Sequence, residues 1–150
     1  MLRKINMRNV TVSILFILLI TSHAVADDEA RNRTYVNSSD YGQFYIKSIP
    51  SEQYGLAGKT KVYQVQDTED ILLYTYDWYS PEVFVYGFNA GPIVYVVQFG
   101  PWHRGHQANS EDLAIAFYKN DQFLKRYSTL DIVGEKTRVS ASSSHYTAKT

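Results

Sequence analysis

The chain is predicted to fold as an all-β domain, an antiparallel meander of about seven strands arranged as blade-like twisted sheets or a small sandwich. Three observations carry this prediction. Between positions 41 and 133 the apolar residues recur with period two, the spacing that places alternate side chains on one face of a strand. Those short runs are separated by Gly, Pro, Asn and Asp clusters of turn length. Nowhere after the first twenty-six residues does an apolar period of 3.6 persist long enough for a packed helix.

Those first residues form an export signal. Arg3, Lys4 and Arg8 open it, residues 10–20 are apolar apart from Thr11 and Ser13, and Ala24-Val25-Ala26 supplies a small-residue cleavage site. A membrane span needs ~20 apolar residues, about twice this run. The sequence therefore predicts cleavage before Asp27, a secreted or periplasmic product, and no stable membrane insertion afterwards. Residues 27–40 are polar and read as a flexible lead-in.

The first strand is expected over 43–49, ending at Pro50, which has no N–H to give a ladder. A loop with Gly55 and Gly58 follows, then a second strand over 60–66 and a turn over 67–70. The third, 71–78, sets Leu72, Tyr74, Tyr76 and Trp78 on one face, the strongest aromatic ladder in the chain. Strands over 83–88 and 93–99 form a hairpin through Asn89-Ala90-Gly91-Pro92, whose Asn and Gly can take positive φ. Residues 100–112 lack alternation and form the longest internal loop. Strands over 113–118 and 122–128 make a second hairpin around Asn120-Asp121. Parallel pairing would need crossovers of a dozen residues or more, so local turns imply antiparallel neighbours. The β domain thus runs from 41 to 133, and 134–150 is a polar tail.

Charge and composition exclude several functions. Fifteen basic and fifteen acidic residues balance over the whole chain; the leader removes three basic and no acidic ones, leaving twelve against fifteen and a net charge of −3. Nucleic acid, which is bound by neutralising phosphates, is not an expected partner. With no cysteine there are no disulfides, thiolate metal sites or cysteine nucleophile.

Few residues suggest chemistry. His103 and His106, with Glu111 and Asp112 nearby, have the donor types of a zinc or copper site, but lie on a Gly-flanked loop that guarantees no second-sphere support. Asp77, His103 and Ser80 include the residue types of a hydrolytic triad, yet no Gly-x-Ser-x-Gly elbow exposes a serine. No catalytic residue, metal ligand or cofactor site is assigned. The aromatic content is the better lead, with thirteen tyrosines and two tryptophans. Most should half-bury on sheets, where such rings pack well. Trp78, Tyr79 and Trp102 are the candidate binding surface, because aromatic rings can stack on sugars or anchor a protein partner.

The stretch Asp112-Leu113-Ala114-Ile115-Ala116-Phe117-Tyr118, followed by Asn120-Asp121 and then Tyr127-Ser128-Thr129-Leu130-Asp131-Ile132, resembles a group of uncharacterised exported bacterial proteins with β-propeller-like sheets. Trp102 in Gly100-Pro101-Trp102 fits the loop tryptophan of that pattern. The resemblance spans residues 92–133 and implies a fold and a compartment, with no reaction. The expectation is an exported, non-catalytic binding or accessory module with a protein or glycan partner. The rivals are a metal-dependent or hydrolytic enzyme built on the 100–112 loop, and a carbohydrate-binding module using the Trp78 and Trp102 regions.

Overall fold

The computed structural model describes residues 31–87, 93–101, 103–136, 138–141 and 145–148. The expected export signal, the expected turn at Asn89-to-Pro92 and Trp102 lie outside these residues. Among them the fold is all-β: β1 (Tyr35–Ser38), β2 (Phe44–Pro50), β3 (Gly58–Gln64) and β4 (Ile71–Tyr76) form one antiparallel meander, in that order. A second meander of the same kind joins β5 (Val83–Gly87), β6 (Val94–Phe99), β7 (Leu113–Lys119) and β8 (Gln122–Ser128). One short helix, α1 (Thr129–Val133), and a two-stranded ribbon, β9 (Val139–Ala141) with β10 (Tyr146–Ala148), complete it.

Strand alternation builds the core. Phe44 and Ile46 on β2, Val62 on β3 and Tyr76 on β4 meet Val83 and Val85 on β5 and Val94 and Val96 on β6, all buried in one cluster. Each such side chain contributes roughly 1.5–3 kcal/mol by leaving water. β5 lies against β1 and β2, and the Asn37 side chain donates to the Val83 carbonyl at 3.1 Å, sewing the two meanders together. The second hairpin is locked from the other side. Asn120 adopts a φ of 56°, its side chain accepts from the Val94 N–H at 3.0 Å, and its carbonyl receives the Tyr76 hydroxyl.

Three expectations are corrected. Residues 35–38, within the expected flexible lead-in, form edge strand β1; its inward Asn37 is polar, so the sequence shows no apolar alternation there. Residues 139–141 and 146–148, within the expected polar tail, form the ribbon, which docks through Val139 and Tyr146 onto Ala108. In the third strand, the pairing with β3 shifts register between Val62 and Tyr63, so Tyr63 faces Leu72 while Val62 faces Tyr74. The extra residue breaks the alternation: Leu72 is 48% exposed, whereas Leu73, Tyr74 and Trp78 pack on the core. On β7, Ala116 is buried and Tyr118 packs on the core, while Ile115 pairs with Phe99 and Phe117 packs edge-on to Tyr127, on the opposite face.

The turn into α1 also has a local cause. Ser128 caps the helix through a capping box: its hydroxyl accepts from the Asp131 N–H at 3.1 Å, and the Asp131 carboxylate accepts from the Ser128 N–H at 2.8 Å. The Ser128 N–H and hydroxyl, each 2.8 Å from the Asp131 carboxylate, hold that carboxyl below the usual carboxylate range.

Candidate functional site

The segment after β4 is fastened to the first sheet by hydroxyl groups. Ser48, Thr60 and Ser80 are each 0% exposed. Thr60 Oγ1 donates to the Trp78 carbonyl at 2.8 Å, so its single proton is committed and it must accept from Ser48 Oγ, 2.8 Å away. Ser48 Oγ in turn accepts from the Ser80 N–H at 2.9 Å. The chain of bonds therefore runs one way, from Ser80 N–H through Ser48 and Thr60 to the Trp78 carbonyl. It fixes both ends of the Trp78-Tyr79-Ser80 tripeptide.

That tripeptide splits the expected binding surface. Tyr79 is 1% exposed and structural: its hydroxyl donates to the Arg33 carbonyl at 2.8 Å and accepts from the Arg33 N–H at 3.2 Å, tying down the approach to β1. Trp78 points the other way. It stacks on Tyr76 at 5.0 Å, leans on Tyr118 at 5.4 Å, and Tyr118 meets Phe123 edge-on at 5.7 Å.

This aromatic wall borders a cleft of about 360 Å³ over the inward face of β7 and β8. Its volume lies near the lower end of the range for small-ligand sites. Gln98, Leu113, Ala116 and Tyr118 line it together with Phe123 and Arg126 from β8, and Pro101, His103, Glu111 and Asp112 close it from the long loop. The first meander packs on β5 and β6 of this sheet, and the concavity lies beyond them, over β7 and β8.

The polar groups of the cleft are held in place. Gln98 is 3% exposed and accepts from the Tyr118 hydroxyl at 3.0 Å. Burial raises the Tyr118 phenol's pKa, against the opposing effects of the Trp78 indole and Arg126. The Trp78 N–H is shut from solvent; it acts on that phenol but makes no hydrogen bond to any described group. Arg126 donates to the Glu111 carbonyl at 3.0 Å, leaving its remaining donors at the rim.

The loop wall is built around Asn109, whose Oδ1 accepts from the N–H groups of Glu111 and Asp112, each at 2.8 Å. Its Nδ2 donates to the Asp112 carboxylate at 2.7 Å, and that carboxylate also receives the Tyr146 hydroxyl from the ribbon. Burial and the bond to Asp112 push the Tyr146 phenol up to about 12. His103 stacks on Tyr146 at 5.5 Å with Nδ1 3.7 Å from Asp112. Its pKa is lowered by burial, with Asp112 pulling the other way.

The other sequence candidates do not converge. Asp77 is exposed and paired with Lys59 at 2.7 Å, Ser80 is buried and donates to the Phe99 carbonyl at 2.8 Å, and His103 belongs to the Asp112 wall, so they form no triad. His106 is exposed, and among the described residues no three His, Asp or Glu side chains gather around one ion position. Gln98 and Arg126 were not singled out from sequence. The signal for Gln98 was present: in Val94-Tyr95-Val96-Val97-Gln98 it takes the third inward position after two valines, where an apolar residue is expected.

Comparison with known proteins gives no match to any protein family, curated protein or solved structure. No helix among the described residues is long and apolar enough to cross a membrane.

Proposed function

We propose that the chain is an exported, non-catalytic binding module and that the cleft beside Trp78 is its ligand site, with a glycan as the best-fitting ligand. The observation that carries this reading is the composition of the cleft. An aromatic wall of Trp78, Tyr118 and Phe123 faces Gln98, Glu111, Asp112 and Arg126 across one concavity. A pyranose presents an apolar ring face edged by hydroxyls. Aromatic rings supply flat contact area for the first, while amide, carboxylate and guanidinium groups accept from and donate to the second.

We also propose that the chain is exported and akin to the propeller-like proteins. The basic opening, apolar run and Ala24-Val25-Ala26 site support export, and two successive four-stranded meanders are in keeping with the propeller-like resemblance of residues 92–133.

Titration of the purified protein with soluble oligosaccharides, followed by tryptophan fluorescence and calorimetry, tests the reading. At least one sugar should bind with a change in indole emission and without chemical conversion. Phe123→Ala and Arg126→Ala, both at exposed positions, should weaken that binding about tenfold each, roughly 1.4 kcal/mol. A panel without response, or binding indifferent to both variants, removes the assignment.

A further inference from the structure

We infer that the outward face of the first sheet is a second binding surface, which takes a carboxylate-bearing polysaccharide between Lys47 and Lys61. The two lysines are direct partners across the β2–β3 pair, on the side of the sheet opposite Ile46 and Val62. Side chains so placed have Cβ atoms about 5 Å apart, and like charges there oppose folding. Their neighbours in the same row are Val36 on β1 and Thr75 on β4, neither of which carries charge. In the next row Lys59 is already matched, its ammonium 2.7 Å from Asp77. Among the described residues no carboxylate comes within ion-pair distance of Lys47 or Lys61.

The row on the other side is aromatic. Tyr45 and Tyr63 face each other across the same strand pair, their rings stacked at 4.8 Å and 8° from parallel. The sheet therefore presents two adjacent ammonium groups beside two phenols. A carboxylate seated between the lysines receives charge-assisted hydrogen bonds from both and removes their repulsion, and the phenols meet the uncharged part of the sugar.

The alternatives fit less well. Duplex nucleic acid calls for a wider positive field than two lysines on a chain with fifteen basic and fifteen acidic residues. Anionic membranes are bound by clusters of about four to eight basic residues, which this face lacks.

The test is calorimetric titration with polygalacturonate at low salt, with the fully methyl-esterified polymer as the uncharged counterpart. The acidic polymer should bind at least about tenfold more tightly than the ester and lose most of its affinity at high salt. Lys47→Gln with Lys61→Gln should weaken binding about tenfold without lowering the thermal midpoint, whereas Lys59→Gln should change it less than about twofold. Phe123→Ala with Arg126→Ala should leave polygalacturonate binding intact, which separates this surface from the cleft. Equal binding of the ester, indifference to the double lysine variant, equal loss on Lys59→Gln, loss in the cleft variant, or no binding overturns the inference. Retention by phosphatidylglycerol vesicles without affinity for the polymer overturns it in favour of a membrane surface.

Discussion

Thr60→Val tests the hydroxyl chain that positions Trp78, because valine keeps the shape of threonine and removes only its hydrogen bonds. Two buried groups lose partners: the Trp78 carbonyl, its donor at 2.8 Å, and the Ser48 hydroxyl, its acceptor at 2.8 Å. A buried polar group left unpaired costs about 1–3 kcal/mol, so the variant should lose about 2–6 kcal/mol. Each kcal/mol lowers Tm by about 3–5 °C in a domain this size. Ser48→Ala orphans only the Ser80 N–H, bonded at 2.9 Å, and should cost about 1–3 kcal/mol. In the double variant the Ser48 hydroxyl no longer exists to be left unpaired. The combined loss should therefore fall short of the sum by about 1 kcal/mol or more, a coupling that urea unfolding can resolve. Either single change within about 0.5 kcal/mol of the parent, or strict additivity, would refute the one-way chain of donors.

Three further outcomes follow from the same structure. Gly100→Ala places a methyl carbon 1.6 Å from the Leu113 carbonyl oxygen, so β6 and β7 must part there; a loss of about 3 kcal/mol in urea unfolding is expected, and a stability equal to the parent's would show that this close approach is wrong. Lys61→Glu should raise stability by about 0.2–1 kcal/mol, because it turns a like-charged cross-strand pair with Lys47 into an opposite one; a lower urea midpoint would contradict the pairing. His103 has a folded pKa below its unfolded value, so the unfolded state takes up the proton more readily: its stabilising contribution is complete above about pH 6.5 and fades as the pH falls towards the folded pKa. His103→Gln should flatten the change in urea midpoint between neutral pH and about pH 5, and an unaltered slope would remove His103 as its source.

The sheets were legible in the sequence wherever alternation was strict. Phe44-x-Ile46 and Val94-x-Val96 announce their buried faces directly, and Asn120-Asp121 marks a turn with the one non-glycine positive φ among the described residues. Legibility failed where tertiary bonds replace apolar period. β1 is held by Asn37 reaching Val83 and by Tyr79 clamping Arg33, contacts that lie 46 residues apart in the chain. The ribbon is held by Val139, Tyr146 and the Tyr146 bond to Asp112, too few apolar residues to make a period. Face assignment on the third strand failed because one extra residue opposite Val62 and Tyr63 reverses the alternation, and nothing local to that strand announces it. Of the candidate site, Trp78 was found from its aromatic context. Tyr79, adjacent and of the same chemistry, belongs to the interior because Thr60 and Ser48 grip the backbone on both sides of it.

Chemical-shift mapping of the isotope-labelled protein during titration with soluble oligosaccharides tests the cleft most directly. The account predicts that a binding sugar shifts the Trp78 indole N–H, the Gln98 side-chain amide and the Arg126 guanidinium together. Shifts confined to other surfaces, or a spectrum unmoved by every sugar, would contradict it.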